Sequence, residues 1–311
     1  MFFGGKGGVG KTTGSASYAL HSAQSGLKTL LVSTDPAHST SDIFDKQIGE
    51  TIGELYPNLD AIEISGAKES AIYMNGVRES LKNIVSPIIV AEINKQIDAA
   101  SISPGTEEAA LFDKMIEIIV LENDNYDRII FDTAPTGHTV RLLSLPELLG
   151  GWLESLIEKR EKSITIMSMA MNQAKKTKEN IESDEVIKIL RKRYERVSQA
   201  KEIMTNKDLV SFMFVINAEK LPIDETKKAI SILEKYNITI EGVIVNKLLP
   251  DDLKDDFWIK KKQDENMYLD IIKDTFKDKR IYKLPMLKDD INSENLAQIA
   301  DKFNIFENSA Q

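Results

Sequence analysis

The sequence of 311 residues contains no cysteine. A chain without thiols cannot form disulfides, thiolate zinc sites or cysteine-ligated iron–sulfur clusters, and it offers no cysteine nucleophile. It also lacks the run of about 18 to 20 apolar residues that a membrane-spanning helix needs. Its most apolar stretch, residues 84–93, is interrupted by serine, proline and glutamate. Met1–Gly4 shows no basic, apolar leader, so we expect a cytoplasmic protein.

The chain has fewer basic than acidic residues. It contains 40 lysines and arginines and 49 aspartates and glutamates, which gives a net charge of −9. Nucleic acid and anionic membranes are negatively charged, so we expect no nucleic-acid partner. Hydrophobic residues make up 42% of the chain and charged residues 29%. This balance is typical of a folded globular protein.

The order of apolar and polar segments predicts an α/β fold. An apolar start is followed by a glycine-rich loop, a helix over 11–25 and a strand over 27–34, which together form a βαβ unit. Further apolar runs at 128–131, 209–216 and 239–245 each end in a polar residue. Parallel sheets bind ligands at the carboxyl ends of their strands. We therefore predict a mostly parallel sheet flanked by helices, with a short first strand that a few further native residues would precede.

Two stretches with helical periodicity, 70–121 and 146–206, interrupt this pattern. A Ser/Pro/Gly segment at 101–105 divides the first of them into two helices, the second running over 107–121. We predict an α/β core of residues 1–66, 126–150 and 207–311. Residues 67–125 and 151–206 would form an α-helical insertion subdomain.

The glycine-rich loop fits the pattern G-x-x-x-x-G-K-S/T of a P-loop. In a P-loop NTPase the glycines let backbone N–H groups surround phosphate oxygens, the lysine contacts the β- and γ-phosphates, and the hydroxyl binds Mg²⁺. The helix that follows adds its positive N-terminal end. The predicted nucleotide-binding residues are Gly5, Lys6, Gly7, Gly8, Val9, Gly10, Lys11, Thr12 and Thr13.

A second lysine, Lys6, lies five residues before the P-loop lysine. In the variant P-loop that carries it, this lysine reaches the nucleotide of a facing subunit. That role predicts a homodimer, since a twofold interface presents the same surface twice. Lys6 would then act catalytically, like an arginine finger. The alternative is an exposed loop lysine.

Three segments carry a resemblance to a known family. They are the loop at 4–13, the segment Ser33-Thr34-Asp35-Pro36-Ala37-His38-Ser39, and the segment Phe131-Asp132-Thr133-Ala134-Pro135-Thr136-Gly137-His138. Together they resemble the arsenical pump-driving ATPase family. That family includes the ATPases that deliver tail-anchored membrane proteins. The resemblance runs along essentially the whole chain.

The resemblance implies roles for residues outside the P-loop. Asp35 would be the catalytic aspartate that positions the attacking water, the alternative being a helix cap or an indirect magnesium contact. Asp132 would lie near Mg²⁺ together with Thr12. Glu219 and Asn246 would contact the ribose and the base, and Lys283–Met286, with Pro285 and Met286, would form a loop over the adenine. Residues 133–141 would be a nucleotide-sensitive switch.

The missing cysteines narrow the expected activity within that family. Metalloid binding through thiolates is excluded, and the region around 251–262 has no thiolate for the zinc site that often joins two subunits of targeting ATPases. No zinc is therefore expected, and the remaining cargo is a hydrophobic helix, with a membrane receptor as a further partner. Candidate groove residues in the insertions are Met74, Val77, Leu81, Ile84, Ile88, Ile164, Met167 and Met171; the alternative for all of them is ordinary core packing.

The sequence thus predicts an Mg²⁺-dependent ATPase that, as a nucleotide-closed homodimer, binds the C-terminal transmembrane segment of tail-anchored proteins and targets them to the membrane. One alternative is an anion-pump ATPase coupled to a membrane transporter. A second is a partitioning-type ATPase, which would need a basic DNA-binding surface or a basic amphipathic tail, and neither is evident.

Overall fold

The computed structural model describes residues 1–34, 39–82, 106–133, 136–170 and 177–307. Its strands are β1 (Phe2–Gly4), β2 (Thr29–Ser33), β3 (Gly53–Tyr56), β4 (Leu59–Glu63), β5 (Arg128–Asp132), β6 (Ser211–Ile216), β7 (Thr239–Leu248) and β8 (Arg280–Pro285). Its helices are α1 (Lys11–Gln24), α2 (Ser39–Phe44), α3 (Gly66–Lys82), α4 (Thr106–Glu122), α5 (Thr136–Ala170), α6 (Thr177–Ser183), α7 (Glu185–Thr205), α8 (Lys220–Lys235), α9 (Asp256–Thr275) and α10 (Ser293–Glu307). Within these ranges, none of the helices combines the length and apolarity that crossing a membrane requires.

The eight strands form one sheet in the order β3-β4-β2-β5-β1-β6-β7-β8. Every neighbouring pair is parallel except β3 and β4, which are antiparallel. The predicted α/β fold, a P-loop NTPase with a mostly parallel sheet flanked by helices, is confirmed. In such a sheet the loops that follow β1, β5, β6 and β7 meet at one edge.

The central strands are buried because their side chains are apolar on both faces, as parallel strands covered by helices require. Phe2 of β1 stacks on Phe131 of β5 at 4.6 Å between ring centroids and on Phe212 of β6 at 5.6 Å. On one face of the sheet, α1 and α10 pack together, and Tyr18 contacts Phe303 at 5.3 Å. These contacts fix the direction in which β1 leads into the glycine-rich loop.

The chain divides into two compact units. The first, which holds the sheet, comprises Met1–Ser65, Glu122–Arg141 and Thr205–Gln311, and the second comprises Gly66–Leu121 and Leu142–Met204. The second unit is helical and has its own small core of Phe112, Ile116, Leu153, Val197 and Ala200. The predicted domain boundaries, which concern folding units, stay a prediction.

Within the helical unit, Asp184 joins two helices. Its carboxylate accepts a hydrogen bond from Arg160 of α5 at 2.9 Å and another from the Ile187 amide at 3.0 Å, so that it caps α7. Partial burial raises the pKa of Asp184, but these hydrogen bonds outweigh burial and bring the pKa below its usual value.

Several elements differ from the sequence-based expectation. Helix α5 begins at Thr136, ahead of the expected start at Pro146, so the segment predicted as a switch at 133–141 is helical from residue 136 onwards. Proline favours the first turn of a helix, which made Pro146 a misleading start signal. The hairpin of β3 and β4 was not expected, because its strands are short and mixed in polarity.

The predicted adenine-covering loop at 283–286 is also corrected. Residues 280–285 form β8, an edge strand, and only Met286 lies beyond it. Tyr282 and Leu284 are buried and alternate with the less buried Ile281, Lys283 and Pro285, which is the pattern of a half-buried edge strand.

Two phenylalanines provide a test of this core. Phe212 is fully buried between Phe2 and Phe214, whereas Phe257 at the start of α9 is 60% exposed. We expect Phe212→Ala to lower the free energy of unfolding by about 3 to 5 kcal/mol, because it leaves a cavity. Urea denaturation followed by circular dichroism measures this loss. The same substitution at Phe257 serves as the control, and equal losses at both positions would contradict the packing described.

Candidate functional site

The glycine-rich loop connects β1 directly to α1. Gly10 caps the helix in the left-handed conformation, with φ 93°, and Lys11 is the first helical residue. Lys11 is buried, and its Nζ lies 3.4 Å from the carbonyl oxygen of Lys6. A lysine held inside the loop that precedes a helix N-terminus places a positive charge where a phosphate group would bind.

Two glycines of this loop leave no room for a side chain. A Cβ at Gly10 would collide with the side-chain nitrogen of Asn246, and a Cβ at Gly5 would collide with the carbonyl oxygen of Val215. Gly10 would also be strained as any other residue, because its φ lies in the left-handed region. The glycines of the motif are therefore required by close contact with β6 and β7.

The carboxyl end of β7 holds the glycine-rich loop by hydrogen bonds to carbonyl groups of the loop. Asn246 donates from Nδ2 to the Val9 carbonyl oxygen at 2.9 Å, in a buried position. Lys247 donates from Nζ to the Gly8 carbonyl oxygen, also at 2.9 Å. We expected Asn246 to contact the nucleobase. In the structure its side chain is hydrogen-bonded to the glycine-rich loop.

Asp132 and Thr12 are the expected magnesium ligands. Asp132 ends β5, is completely buried, and pairs in register with Phe3 of β1 and Ser33 of β2. Thr12 lies in the first turn of α1. A carboxylate and a hydroxyl are hard oxygen donors, which suit Mg²⁺, an ion that retains several water ligands. Among the described residues, no group of three or more histidine, aspartate or glutamate side chains is arranged so that it could hold a metal ion.

A cavity of about 590 Å³ lies beside the end of β7. It brings together three residues predicted to contact the nucleoside, Glu219, Asn246 and Met286. The predicted Pro285 precedes Met286 as the exposed last residue of β8. The volume is within the range of about 300 to 1,000 Å³ that small-molecule sites occupy. Its remaining walls come from the ends of β6 and β7, from the start of α8 and from α9, and include Asn217, Lys247, Trp258, Lys261, Asp264 and Tyr268.

The family model described as anion-transporting ATPase matches residues 1–304 of the chain. The protein belongs to this family of ATPases. The resemblance inferred from the three motifs is therefore confirmed, and so is ATP hydrolysis as the reaction.

Individual relatives match over nearly their whole length. A putative arsenical pump-driving ATPase 2 of Aquifex aeolicus is 35% identical, with 94% of both chains covered. An ATPase ASNA1 homolog of Entamoeba dispar is 33% identical over 94% of this chain and 89% of its own length. An ATPase GET3 of Debaryomyces hansenii is 32% identical over 96% of this chain and 88% of its own.

The remaining predicted residues of the ATPase site are placed as follows. Lys6 is partly exposed, Gly7 and Gly8 are exposed, Val9 is buried, and Thr13 lies in the first turns of α1, where its carbonyl accepts a hydrogen bond from Ser17 at 2.6 Å. Asp35 lies outside the described residues. Its catalytic role, like the other site assignments, stays a prediction.

Sequence reasoning missed the wall that α9 contributes to the cavity. Trp258, Lys261, Glu265 and Tyr268 follow the three-and-four spacing of one helix face, which is a signal that the sequence does contain. Lys247 was missed as well, although it directly follows Asn246.

Helix α9 is held against the segment that follows β7 by Lys262. Its Nζ lies 2.6 Å from the Leu249 carbonyl oxygen, 3.0 Å from Asp251 and 2.9 Å from Glu265. Glu265 also accepts a hydrogen bond from the Leu249 amide at 2.8 Å. Partial burial lowers the pKa of Lys262, but its contacts with Glu265 and Asp251 outweigh burial and bring the pKa above its usual value.

The glycine at the helix N-cap allows a sharp test. Gly10 and Gly26 both have left-handed backbones, with φ 93° and 88°, but only Gly10 is crowded by another residue. We expect Gly10→Ala to weaken binding of magnesium ADP at least about tenfold, because the new methyl group displaces Asn246 or the loop. Isothermal titration calorimetry measures the affinity.

Gly26→Ala is the matched control for that variant. Each substitution should cost about 1 to 2 kcal/mol of stability through its left-handed backbone, but Gly26→Ala should leave the affinity unchanged. Equal loss of affinity in both variants would show that the contact with Asn246 does not matter.

Proposed function

We propose that this protein is a cytoplasmic, Mg²⁺-dependent ATPase that closes as a homodimer on ATP, binds the C-terminal transmembrane segment of tail-anchored proteins and targets them to the membrane. The observation that carries the cargo assignment is the exposed apolar surface of the helical unit. The similarity to ATPases named GET3 supports it, as does the family resemblance of the three motifs.

In this proposal, the chain's own residues would bind and orient the nucleotide. Lys11 and the backbone amides of the loop would bind the phosphates, and the nucleoside would fill the cavity between β7 and α9. Asp35 would hold the attacking water in line with the terminal phosphate and accept its proton. Mg²⁺, held through Thr12 and Asp132, would offset the negative charge of the phosphates.

Lys6 is assigned to the nucleotide of the partner subunit. Its backbone carbonyl faces Lys11, while the residue is partly exposed and lies ahead of the exposed Gly7 and Gly8. A cation delivered from the facing subunit would stabilise the charge that develops in the transition state. Hydrolysis would then depend on closure of the dimer.

Mixing two inactive variants tests this assignment. Lys6→Ala subunits lack the lysine that acts across the interface, and Asp35→Asn subunits lack the aspartate that acts within the subunit. In a mixed dimer, the Lys6→Ala subunit keeps Asp35 and receives Lys6 from its partner, so about a quarter of all sites should regain activity. Phosphate release after mixing at equal concentrations measures this recovery.

Each variant alone is the control, and both should hydrolyse ATP at a small fraction of the wild-type rate. Sedimentation velocity with magnesium ATP should show that Asp35→Asn still dimerises. Mixtures that stay inactive while mixed dimers form would contradict a role for Lys6 across the interface.

The helical unit exposes several large apolar side chains. Ile166, Met167 and Met169, near the end of α5, are each at least 60% exposed, and so is Ile72 of α3. Apolar patches on a protein surface mark interaction sites, and methionine adapts to partners of varied shape. This surface supports a hydrophobic helix as the partner.

The predicted groove residues are only partly covered by the structure. Met74 of α3 and Ile164 of α5 are partly buried, and Met167 is exposed. Val77 and Leu81 belong to α3. Ile84, Ile88 and Met171 lie outside the described residues. The groove itself stays a proposal.

Two methionines with similar exposure separate cargo binding from general effects. Met167 in the helical unit is 60% exposed, and Met267 on α9 is 52% exposed. We expect Met167→Glu to weaken capture of a single apolar transmembrane peptide about tenfold or more, because a buried apolar contact of about 1.5 to 3 kcal/mol is replaced by a charge. Fluorescence anisotropy of a labelled peptide in the presence of magnesium ATP measures capture.

Met267→Glu should leave capture unchanged, and both variants should retain basal ATPase activity. Equal affinity in the Met167→Glu variant and the wild type would remove this surface from the cargo site.

The family description favours one other candidate, an ATPase that drives an anion transporter. The absence of cysteine excludes arsenite binding through thiolates. Stimulation of ATP hydrolysis by an inorganic oxyanion, with no response to an apolar helix, would favour the transporter-coupled function over targeting.

A further inference from the structure

The end of β7 departs from regular pairing where it meets the phosphate loop. Val245 pairs with Lys283 of β8, and the next pair in register is Leu248 with Pro285. Two residues of β7, Asn246 and Lys247, therefore face one residue of β8, which is a β-bulge. Lys247 adopts a left-handed backbone, with φ 58°, which a residue with a side chain seldom does. Bulges of this kind redirect side chains beside functional sites.

Both bulge residues donate to consecutive carbonyls of the loop, Lys247 to Gly8 and Asn246 to Val9, each at 2.9 Å. A trans peptide is planar, so its N–H points opposite to its carbonyl. The bond to the Gly8 carbonyl therefore turns the Val9 N–H away from β7. The bond to the Val9 carbonyl does the same for the Gly10 N–H.

These two amides lie within the P-loop motif, where backbone N–H groups bind phosphate. Asn246 and Lys247 also line the cavity assigned to the nucleoside. We propose that the bulge pair Asn246–Lys247 positions the phosphate loop, with Lys247 as a positioning residue that fixes the direction of its amides and links the nucleoside cavity to the phosphate site. This inference rests on the proposed nucleotide site and goes beyond it, because a lysine outside the motif becomes necessary for phosphate binding.

A comparison of two ligands separates the loop from the cavity. Magnesium ADP occupies both sites, whereas magnesium pyrophosphate has no nucleoside and reports on the phosphate loop alone. We expect Lys247→Met to weaken binding of both ligands about tenfold in titration calorimetry, because a charge-assisted hydrogen bond is lost. Lys247→Arg keeps a donor and should stay within about threefold of the wild type.

Lys247→Gly separates the donor from the backbone conformation. Glycine accepts the left-handed backbone without strain, but it cannot bond to the Gly8 carbonyl, so it should be as impaired as Lys247→Met. Lys227→Met is the control for loss of an exposed lysine; Lys227 lies on α8 and does not line the cavity. Thermal unfolding of each variant verifies that the fold is retained.

Three results would overturn the inference: Lys247→Met weakens ADP but not pyrophosphate, Lys247→Gly binds both ligands as the wild type does, or Lys227→Met has the same effect as Lys247→Met. The first result would mean that Lys247 contributes only to the wall of the cavity. The second would mean that the backbone conformation at residue 247, and not the hydrogen bond from its side chain, matters for ligand binding. A wild-type protein that binds neither ligand would instead overturn the proposed nucleotide site, so the two failures are distinguishable.

Discussion

The phosphate site depends on the pairing of one very short strand. Strand β1 has three residues, and its Phe2 pairs with Phe131 on one side and Phe212 on the other. A strand of this length has little intrinsic stability, so its neighbours set its direction. The loop that leaves β1 is therefore placed by contacts with residues far along the chain. The same sheet order brings the ends of β5, β6 and β7 to that loop, which is why residues near 12, 132, 217 and 246 can serve one ligand.

The parts of the candidate site that could be predicted from the sequence are those encoded in contiguous residues. The loop at 5–12 could be recognised because its glycines, lysine and threonine occur at fixed spacing, and Asp132 because it ends an apolar run. Lys247 could not be assigned in this way, since its contact with Gly8 depends on a bulge that only the pairing of β7 with β8 reveals. The cavity wall on α9 has a readable helical spacing, but nothing in that spacing says which strand the helix covers.

The two units present different chemistry. In the unit that holds the sheet, the glycine-rich loop offers backbone atoms and one buried lysine, which would recognise a ligand by its charge and geometry. The helical unit instead leaves isoleucine and methionine side chains exposed on α5. Covering about 1,000 Å² of an apolar helix would yield on the order of 25 kcal/mol before ordering costs. A surface shared by two subunits suits that area better than one helix face, which is why the proposed cargo site would be completed by dimerisation.

Lys262 couples movement of α9, a wall of the cavity, to movement of the segment that follows β7. An ammonium group has three hydrogens, and Lys262 directs them at three oxygens, those of Leu249, Asp251 and Glu265. Helix α9 cannot swing outward without either breaking one of these contacts or pulling the segment after β7 along with it. That segment begins at Leu249, close in sequence to Asn246 and Lys247, whose side chains are hydrogen-bonded to the glycine-rich loop. A ligand that forced α9 outward would therefore also displace the glycine-rich loop that is proposed to bind its phosphates.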